Sequence, residues 1–223
     1  MNNKVLIIAP HPDDEVLGCG GIIKKYTKSG DQVYVLVITR GNPKLYTEAK
    51  IVNIRKEAVE AHTFLGVIET KFLEFYAPEL DVTPQAEVSR AMSEFIRLKE
   101  INILFLPHRG DIHHDHRAVF NAGLVASRPV NNCPVKCIYT YETLSETEWA
   151  APFGDDAFIP NHFVNIKAEF EDKIKAFSYF KSQIRPFPNT RSTEVIEALA
   201  KFRGATVGCM RAEAFMTIRT IEY

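Results

Sequence analysis

Two short polar segments of the sequence carry side chains that can bind a metal ion or transfer a proton. The first is His11–Glu15 (HPDDE), and the second is Asp111–His116 (DIHHDH). Three successive acids after a histidine are more than a helix cap needs, and histidine beside aspartate is the pairing that orients a ligand or a base. We therefore expect metal binding or acid–base chemistry here rather than two solvated loops.

The side-chain types in these segments favour a catalytic divalent ion. They offer neutral imidazoles and carboxylates without a thiolate, which is typical of catalytic zinc with an open coordination position. Two histidines and one carboxylate are the natural ligand set, and such an ion activates water for hydrolysis. The spacing leaves open which of Asp13 and Asp14 binds the metal, and which of His113, His114 and His116 does.

The elements that must position these segments alternate along the chain. The predicted strands are Val5–Ala9, Val33–Ile38, Lys71–Phe75, Ile101–Leu106, Cys137–Tyr141 and His162–Ile166. The predicted helices are Val16–Ser29, Thr47–Leu65, Thr83–Lys99, His114–Ala126, Ala168–Phe180 and Thr193–Arg203. This alternation predicts a single Rossmann-like α/β domain over residues 1–223, with a largely parallel sheet and helices on both faces. Both polar segments follow strands, so they should meet at the carboxyl edge of the sheet.

Composition narrows the classes of partner. The 223 residues include 27 lysines and arginines against 28 acids, a net charge of −1, so we expect no nucleic-acid binding. No apolar stretch reaches 18 residues, which predicts no membrane span and a cytoplasmic protein. The four cysteines lack paired CxxC motifs and are interpreted as free thiols.

At the two polar segments the sequence resembles the LmbE-like (PIG-L) family of zinc-dependent N-acetylglucosaminyl deacetylases. The HPDDE motif is intact at His11–Glu15, and Asp111–His116 has the form D-x-H-x-D-H. Shorter family-like pieces, among them Ser182-Gln183 and Ala212–Phe215, extend the resemblance over nearly the whole chain. The resemblance implies one Zn²⁺ per chain, with Fe²⁺ or Co²⁺ as alternatives, and release of acetate from a small N-acetylated sugar.

The resemblance also implies a role for individual residues. The metal ligands would be His11, Asp14 and His116. Asp13 would take a proton from the attacking water, and His113, held by Asp115, would act as an imidazolium with a raised pKa. That imidazolium would stabilise the oxyanion and help to protonate the departing amine.

Two arginines lie in segments that, by resemblance, approach the sugar or its substituent. They are Arg40 and Arg55, although a surface ion pair with Glu57 explains Arg55 equally well. The rim loops at Gly41–Tyr46 and Trp149–Pro160 are expected to select the rest of the substrate, with Trp149 as a stacking surface. Nothing in the sequence decides the oligomeric state, and a homo-oligomer is allowed.

Three other functions compete with this interpretation. Gly18–Gly21 invites a dinucleotide site, but GxGxxG is absent and the adjacent acids would repel phosphate, so close helix packing explains these glycines better. A non-catalytic sugar-binding relative could keep the ligands and lose Asp13, which this chain retains. A metal-dependent amidase or esterase acting on another small substrate is the third alternative.

Overall fold

The apolar runs of the sequence form the strands of one sheet in this computed structural model, which describes residues 2–222. The strands within that range are β1 (Lys4–Ala9), β2 (Gln32–Gly41), β3 (Glu69–Ala77), β4 (Ile103–Pro107), β5 (Cys137–Tyr141), β6 (His162–Asn165) and β7 (Ala212–Thr220). The α-helices are α1 (Asp14–Lys28), α2 (Glu48–Leu65), α3 (Gln85–Lys99), α4 (His114–Ala126), α5 (Phe170–Phe177) and α6 (Thr193–Thr206).

The order of the strands creates a crevice beside β1. The sheet runs β3-β2-β1-β4-β5-β7-β6, with parallel pairing from β3 to β5 and antiparallel pairing of β7 with both β5 and β6. The chain leaves β1 toward β2 and returns to its other side at β4, so the order reverses there. Ligands bind at such switch points in open α/β sheets, which is where both polar segments begin.

Each face of the sheet packs against its own set of helices. In β1, Val5, Ile7 and Ala9 belong to the apolar cluster that contains α1, α2, α5 and α6. The alternate residues Leu6 and Ile8 belong to the cluster of α3 and α4. All five side chains are fully buried, which explains the unbroken apolar run of this strand. The predicted largely parallel sheet with helices on both faces is confirmed.

Strand β7 is the element that the sequence analysis missed, because it placed only two helices after β6. The strand lies antiparallel between β5 and β6, and its residues Ala212 to Phe215 are buried. Glu213 interrupts this short apolar run, and it is buried because Lys173 pairs with it at 2.6 Å. Because the sequence does not show that Lys173 pairs with Glu213, the residue pattern of 212–215 does not indicate a buried strand.

The four cysteines are free thiols, as predicted. No helix within residues 2–222 is long and apolar enough to cross a membrane.

Candidate metal centre and its cavity

The turn after β1 brings the first polar segment into the crevice. Both the backbone N–H and the hydroxyl of Thr39, at the end of β2, donate to the carbonyl of Pro10. Asp13 then adopts a left-handed conformation with φ of 118°, uncommon for a residue with a side chain, and its N–H donates to Glu15 at 3.2 Å. Helix α1 starts at Asp14, so the acids lie buried at the helix end that favours negative charge.

The second polar segment opens α4 on the other side of β1. His113 is the N-cap, and its Nδ1 accepts a hydrogen bond from the backbone N–H of Asp115 at 3.1 Å. His116 lies in the first turn and is fully buried. Its Nδ1 lies 2.8 Å from the carboxylate of Asp111, which orients the ring so that Nε2 points the other way.

Three ligand atoms from the two segments converge. They belong to His11, Asp14 and His116 and lie within 4.8 Å of one another. Asp14 Oδ2 is 3.3 Å from His11 Nδ1 and 3.2 Å from His116 Nε2. Two buried atoms here, Asp14 Oδ1 and His116 Nε2, make no hydrogen bond. Because buried polar atoms are normally bonded, this donor set fits a divalent cation that both atoms would contact.

The charges around this cluster favour a cation as well. Burial alone lowers the pKa of His11, but hydrogen bonds to Asp115 and Asp14 raise it to about 9. Burial also opposes the charge on His116, whose pKa Asp14 and Asp111 nevertheless raise well above its usual value. The two imidazoles in turn hold the pKa of Asp14 well below its usual range, although burial acts in the opposite direction. The cluster therefore attracts positive charge.

The ligand atoms of a second group of three also lie within 4.8 Å of one another, but they already make other contacts. It consists of His11, His113 and Asp115. One carboxylate oxygen of Asp115 accepts the backbone N–H of Leu80 at 2.9 Å, and the other is 3.0 Å from His11 Nε2. His113 Nδ1 is occupied by the α4 cap. The first group is therefore the better metal site.

The imidazolium form of His113 stays a prediction, and the surroundings of His113 in this structure do not favour it. The Asp115 carboxylate contacts His11, and only the backbone of Asp115 holds His113. Burial and the charge on His11 lower the pKa of His113 to about 4, against the attraction of Asp115. Since Nδ1 accepts a hydrogen bond, the neutral ring carries its proton on Nε2 and can donate from there.

A cavity of about 690 Å³ opens beside the cluster, a volume typical of small-molecule sites. His11, Asp13 and His113 are among its lining residues. Its walls include Tyr46, Ile51, Ile54, Pro78, Glu146 and Gln183. Burial raises the pKa of Asp13 to about 8, against the opposing charge of Arg191.

The structure does not bring Arg40 and Arg55 into this cavity. Both contact Glu74, at 3.3 and 2.6 Å, and Arg40 also pairs with Glu48 at 2.7 Å. Glu57 is not the partner of Arg55, because it accepts hydrogen bonds from Ser182 instead.

Two other arginines, Arg185 and Arg191, line the cavity and were missed by the sequence analysis. The family-like pair Ser182-Gln183 just before them was the available signal. Both of its residues line the cavity too.

Of the two aromatic residues named in the rim loops, one lines the cavity and the other does not. Tyr46 lines the cavity, whereas Trp149 is 57% exposed and is not among the lining residues. His114 is exposed and lies outside the cluster of ligand atoms. Glu15 has a structural role, because one of its oxygens accepts the N–H of Asp13 and the other lies 2.8 Å from His62 Nε2.

With this geometry in place, comparison with known proteins decides the family. The profile described as GlcNAc-PI de-N-acetylase (PIG-L) matches residues 6–127, which is more than half of the chain and includes both polar segments. The chain belongs to the PIG-L family. This confirms the predicted family and the predicted enzyme class, a deacetylase, and the family is metal-dependent.

Relatives of this PIG-L chain are similar over most of its length. An uncharacterized deacetylase, YaiS, of Escherichia coli (strain K12) is 30% identical over 184 residues, which are 80% of this chain and 90% of the relative. Diacetylchitobiose deacetylase of Thermococcus kodakarensis is 30% identical, with 81% and 70% covered. The solved structure of N,N'-diacetylchitobiose deacetylase from Pyrococcus horikoshii superposes with a TM-score of 0.79 at 25% identity, covering 97% of this chain and 84% of the other.

Proposed function

We propose that this PIG-L protein removes the N-acetyl group from an N-acetylglucosamine-type sugar or sugar conjugate. The metal is zinc, with Fe²⁺ or Co²⁺ as substitutes, and its ligands are His11, Asp14 and His116. One observation carries the proposal: two buried ligand atoms without hydrogen bonds lie beside a cavity of about 690 Å³ that Asp13 also lines. A metal site, a base and room for a small substrate therefore coincide.

Asp13 is the general base in this proposal. A divalent ion at the three ligands supplies polarisation of the acetamide carbonyl and a more acidic water. Asp13 Oδ2 is buried and makes no hydrogen bond, so it can accept the proton that the attacking water loses. The same carboxyl returns this proton to the amine nitrogen when the C–N bond breaks. Acetate and a free amino sugar are the products.

In this proposal the neutral imidazole of His113 stabilises the oxyanion. Its Nδ1 is fixed by the α4 cap, which leaves the Nε2–H to donate toward the carbonyl oxygen as negative charge develops there. Asp115 supports this arrangement through its backbone N–H on His113 and its carboxylate on the ligand His11. Asp115 is thus a positioning residue for both histidines.

The substrate is a small acetamido sugar or conjugate because the cavity has room for one and presents a mixed polar and apolar wall. The names of the relatives support this class, since two of them are diacetylchitobiose deacetylases. Binding of substrate by Arg40 and Arg55 stays a prediction, and their contacts with Glu74 give it no support. The cytoplasmic location and a homo-oligomeric state also stay predictions.

The test is release of amine and acetate from a panel of N-acetylated sugars, sugar nucleotides, glycosides and pseudodisaccharides by the purified protein. We expect equal amounts of both products from at least one member, and loss of the activity when the metal is stripped. Cleavage of simple esters or other amides, with every N-acetyl sugar left intact, would instead establish the amidase or esterase alternative.

A further inference from the structure

One guanidinium group that lines the cavity contacts side chains from three separate segments of the chain. Arg191 Nη1 lies 3.0 Å from Oδ2 of Asp13, in the turn after β1. The same side chain donates from Nε to Ser145 Oγ at 2.9 Å and from Nη1 to Gln183 Oε1 at 2.8 Å. Its contact with Asp13 is an ion pair without hydrogen-bond alignment, because Asp13 Oδ2 makes no hydrogen bond.

The segment that carries Arg191 is anchored independently of Asp13. At one end, the N–H and hydroxyl of Ser182 donate to the carboxylate of Glu57 at 3.1 and 2.6 Å. At the other end, Ser192 caps α6 by accepting the N–H of Val195. Between them, the N–H of Arg185 donates to the carbonyl of Arg191 at 3.3 Å. The guanidinium is therefore held in place by the fold and does not depend on Asp13 for its position.

Asp13 needs such a partner. Asp13 is only 2% exposed, and its backbone has a φ of 118°. Glu15 and the start of α1 fix the backbone of Asp13, but within residues 2–222 Arg191 provides its one side-chain ion pair. The neighbouring carboxylates of Asp14 and Glu15 repel a charge there, so an unpaired Asp13 carboxylate would be both costly and free to turn.

We propose that Arg191 is a positioning residue that aims the Asp13 carboxylate at the reacting water. The inference rests on the proposed role of Asp13 as base. Arginine suits this position because its planar fork can bond Ser145 and Gln183 while still facing Asp13. Lysine has three N–H donors on one nitrogen, so it cannot reproduce contacts that Arg191 makes from two separate nitrogens, Nε and Nη1.

The test compares Arg191→Ala, Arg191→Lys and the matched control Arg97→Ala, which removes an exposed arginine that donates to the backbone carbonyls of Val130 and Asn131. Each variant is assayed for kcat, KM and bound zinc on the substrate that the wild-type protein cleaves. For Arg191→Ala we expect kcat to fall about 10–100-fold, part of what a positioned base contributes. Zinc content should stay close to the wild-type value, since no hydrogen bond or ion pair within residues 2–222 joins Arg191 to His11, Asp14 or His116. KM should change much less than kcat, because Ser145, Gln183 and Asp13 already engage the guanidinium of Arg191. Arg191→Lys should recover little.

Added guanidinium ion separates positioning from a merely structural role. It should restore part of the lost kcat in Arg191→Ala but not in Asp13→Asn, because it replaces the missing cation beside an intact carboxylate. If Arg191→Ala does not fold, Arg191→Lys carries the test through its kcat at unchanged zinc content. Wild-type kcat in either Arg191 variant, or a loss of activity that follows loss of zinc, would overturn the proposal. A wild-type protein inactive on every N-acetyl sugar would instead contradict the proposed function.

Discussion

At the scale of single residues, each of the two histidine ligands is oriented by a carboxylate, His11 by Asp115 and His116 by Asp111. His116 is aimed by Asp111, whose other oxygen accepts the hydroxyl of Thr147 at 2.6 Å. Asp111 belongs to the second motif, but residue types and spacing assign it no role. Residue types and spacing could predict that imidazoles and carboxylates gather here. They could not say which oxygen faces which ring, because that depends on α4 and on a loop 36 residues away.

Removing the carboxylate behind His116 should weaken metal binding. We expect Asp111→Ala to lower zinc affinity about 10–100-fold, the usual effect of losing such a supporting carboxylate. Competition with a chromogenic chelator measures the change. Asp155→Ala removes an exposed carboxylate outside the site and should bind zinc as the wild-type protein does. Equal zinc affinity in both variants would show that Asp111 does not orient the ligand.

The arginines of the cavity can be separated from the arginines outside it. Arg185→Gln should raise KM for the sugar because this side chain lines the cavity. Arg55→Gln should change KM by less than about twofold, since its guanidinium is held by Glu74 and by the carbonyl of Leu73. The reverse order of effects on KM would restore the substrate role that the sequence predicted for Arg55.

At the scale of elements, a buried ion pair reaches into the middle of α1. Glu213 of β7 accepts the N–H groups of Gly21 and Ile22, while Lys173 of α5 donates to Glu213 and to the carbonyl of Leu17. A Cβ on Gly20 would lie 2.9 Å from Lys173 Cγ, so close packing accounts for that glycine, as the sequence analysis argued. The pair itself joins residues 40 positions apart, which no local pattern reveals.

Breaking this pair should destabilise the fold. Lys173→Met keeps most of the apolar stem but leaves the Glu213 charge buried, at a cost of about 3–5 kcal/mol. Urea unfolding measures the difference. Lys56→Met makes the same substitution at an exposed lysine whose nearest acid is 4.0 Å away, and should change the free energy of unfolding by less than about 0.5 kcal/mol. Equal changes in the free energy of unfolding in the two variants would mean that the ion pair of Lys173 and Glu213 does not stabilise the fold.

At the scale of the whole molecule, the strand order brings the two polar segments together. Because β1 lies where the order reverses, the loops after β1 and β4 meet although about 100 residues separate them. Alternation of strands and helices was enough to predict this layout. It was not enough for β7, which runs against the others and carries a buried acid. The near balance of 27 basic and 28 acidic residues hides a local excess of acids at this crevice.

The proposed metal ligands come from the segments that follow β1 and β4. Metal binding should therefore stabilise the whole fold. Zinc at 100 times its dissociation constant should raise the free energy of unfolding by about 2.7 kcal/mol, because the unfolded chain lacks the site. Thermal unfolding with and without zinc measures this. His116→Ala should show no such rise, and an equal rise in that variant would place the bound zinc elsewhere.

The most direct test of the account is a paired measurement of bound zinc and acetate release in Asp13→Asn and His116→Ala. Asp13 lines the cavity with an unbonded oxygen, whereas His116 offers a ligand atom to the metal. Asp13→Asn should therefore keep about one zinc per chain and lose nearly all acetate release, while His116→Ala should lose both. Full activity in Asp13→Asn, or activity in metal-free His116→Ala, would contradict the account.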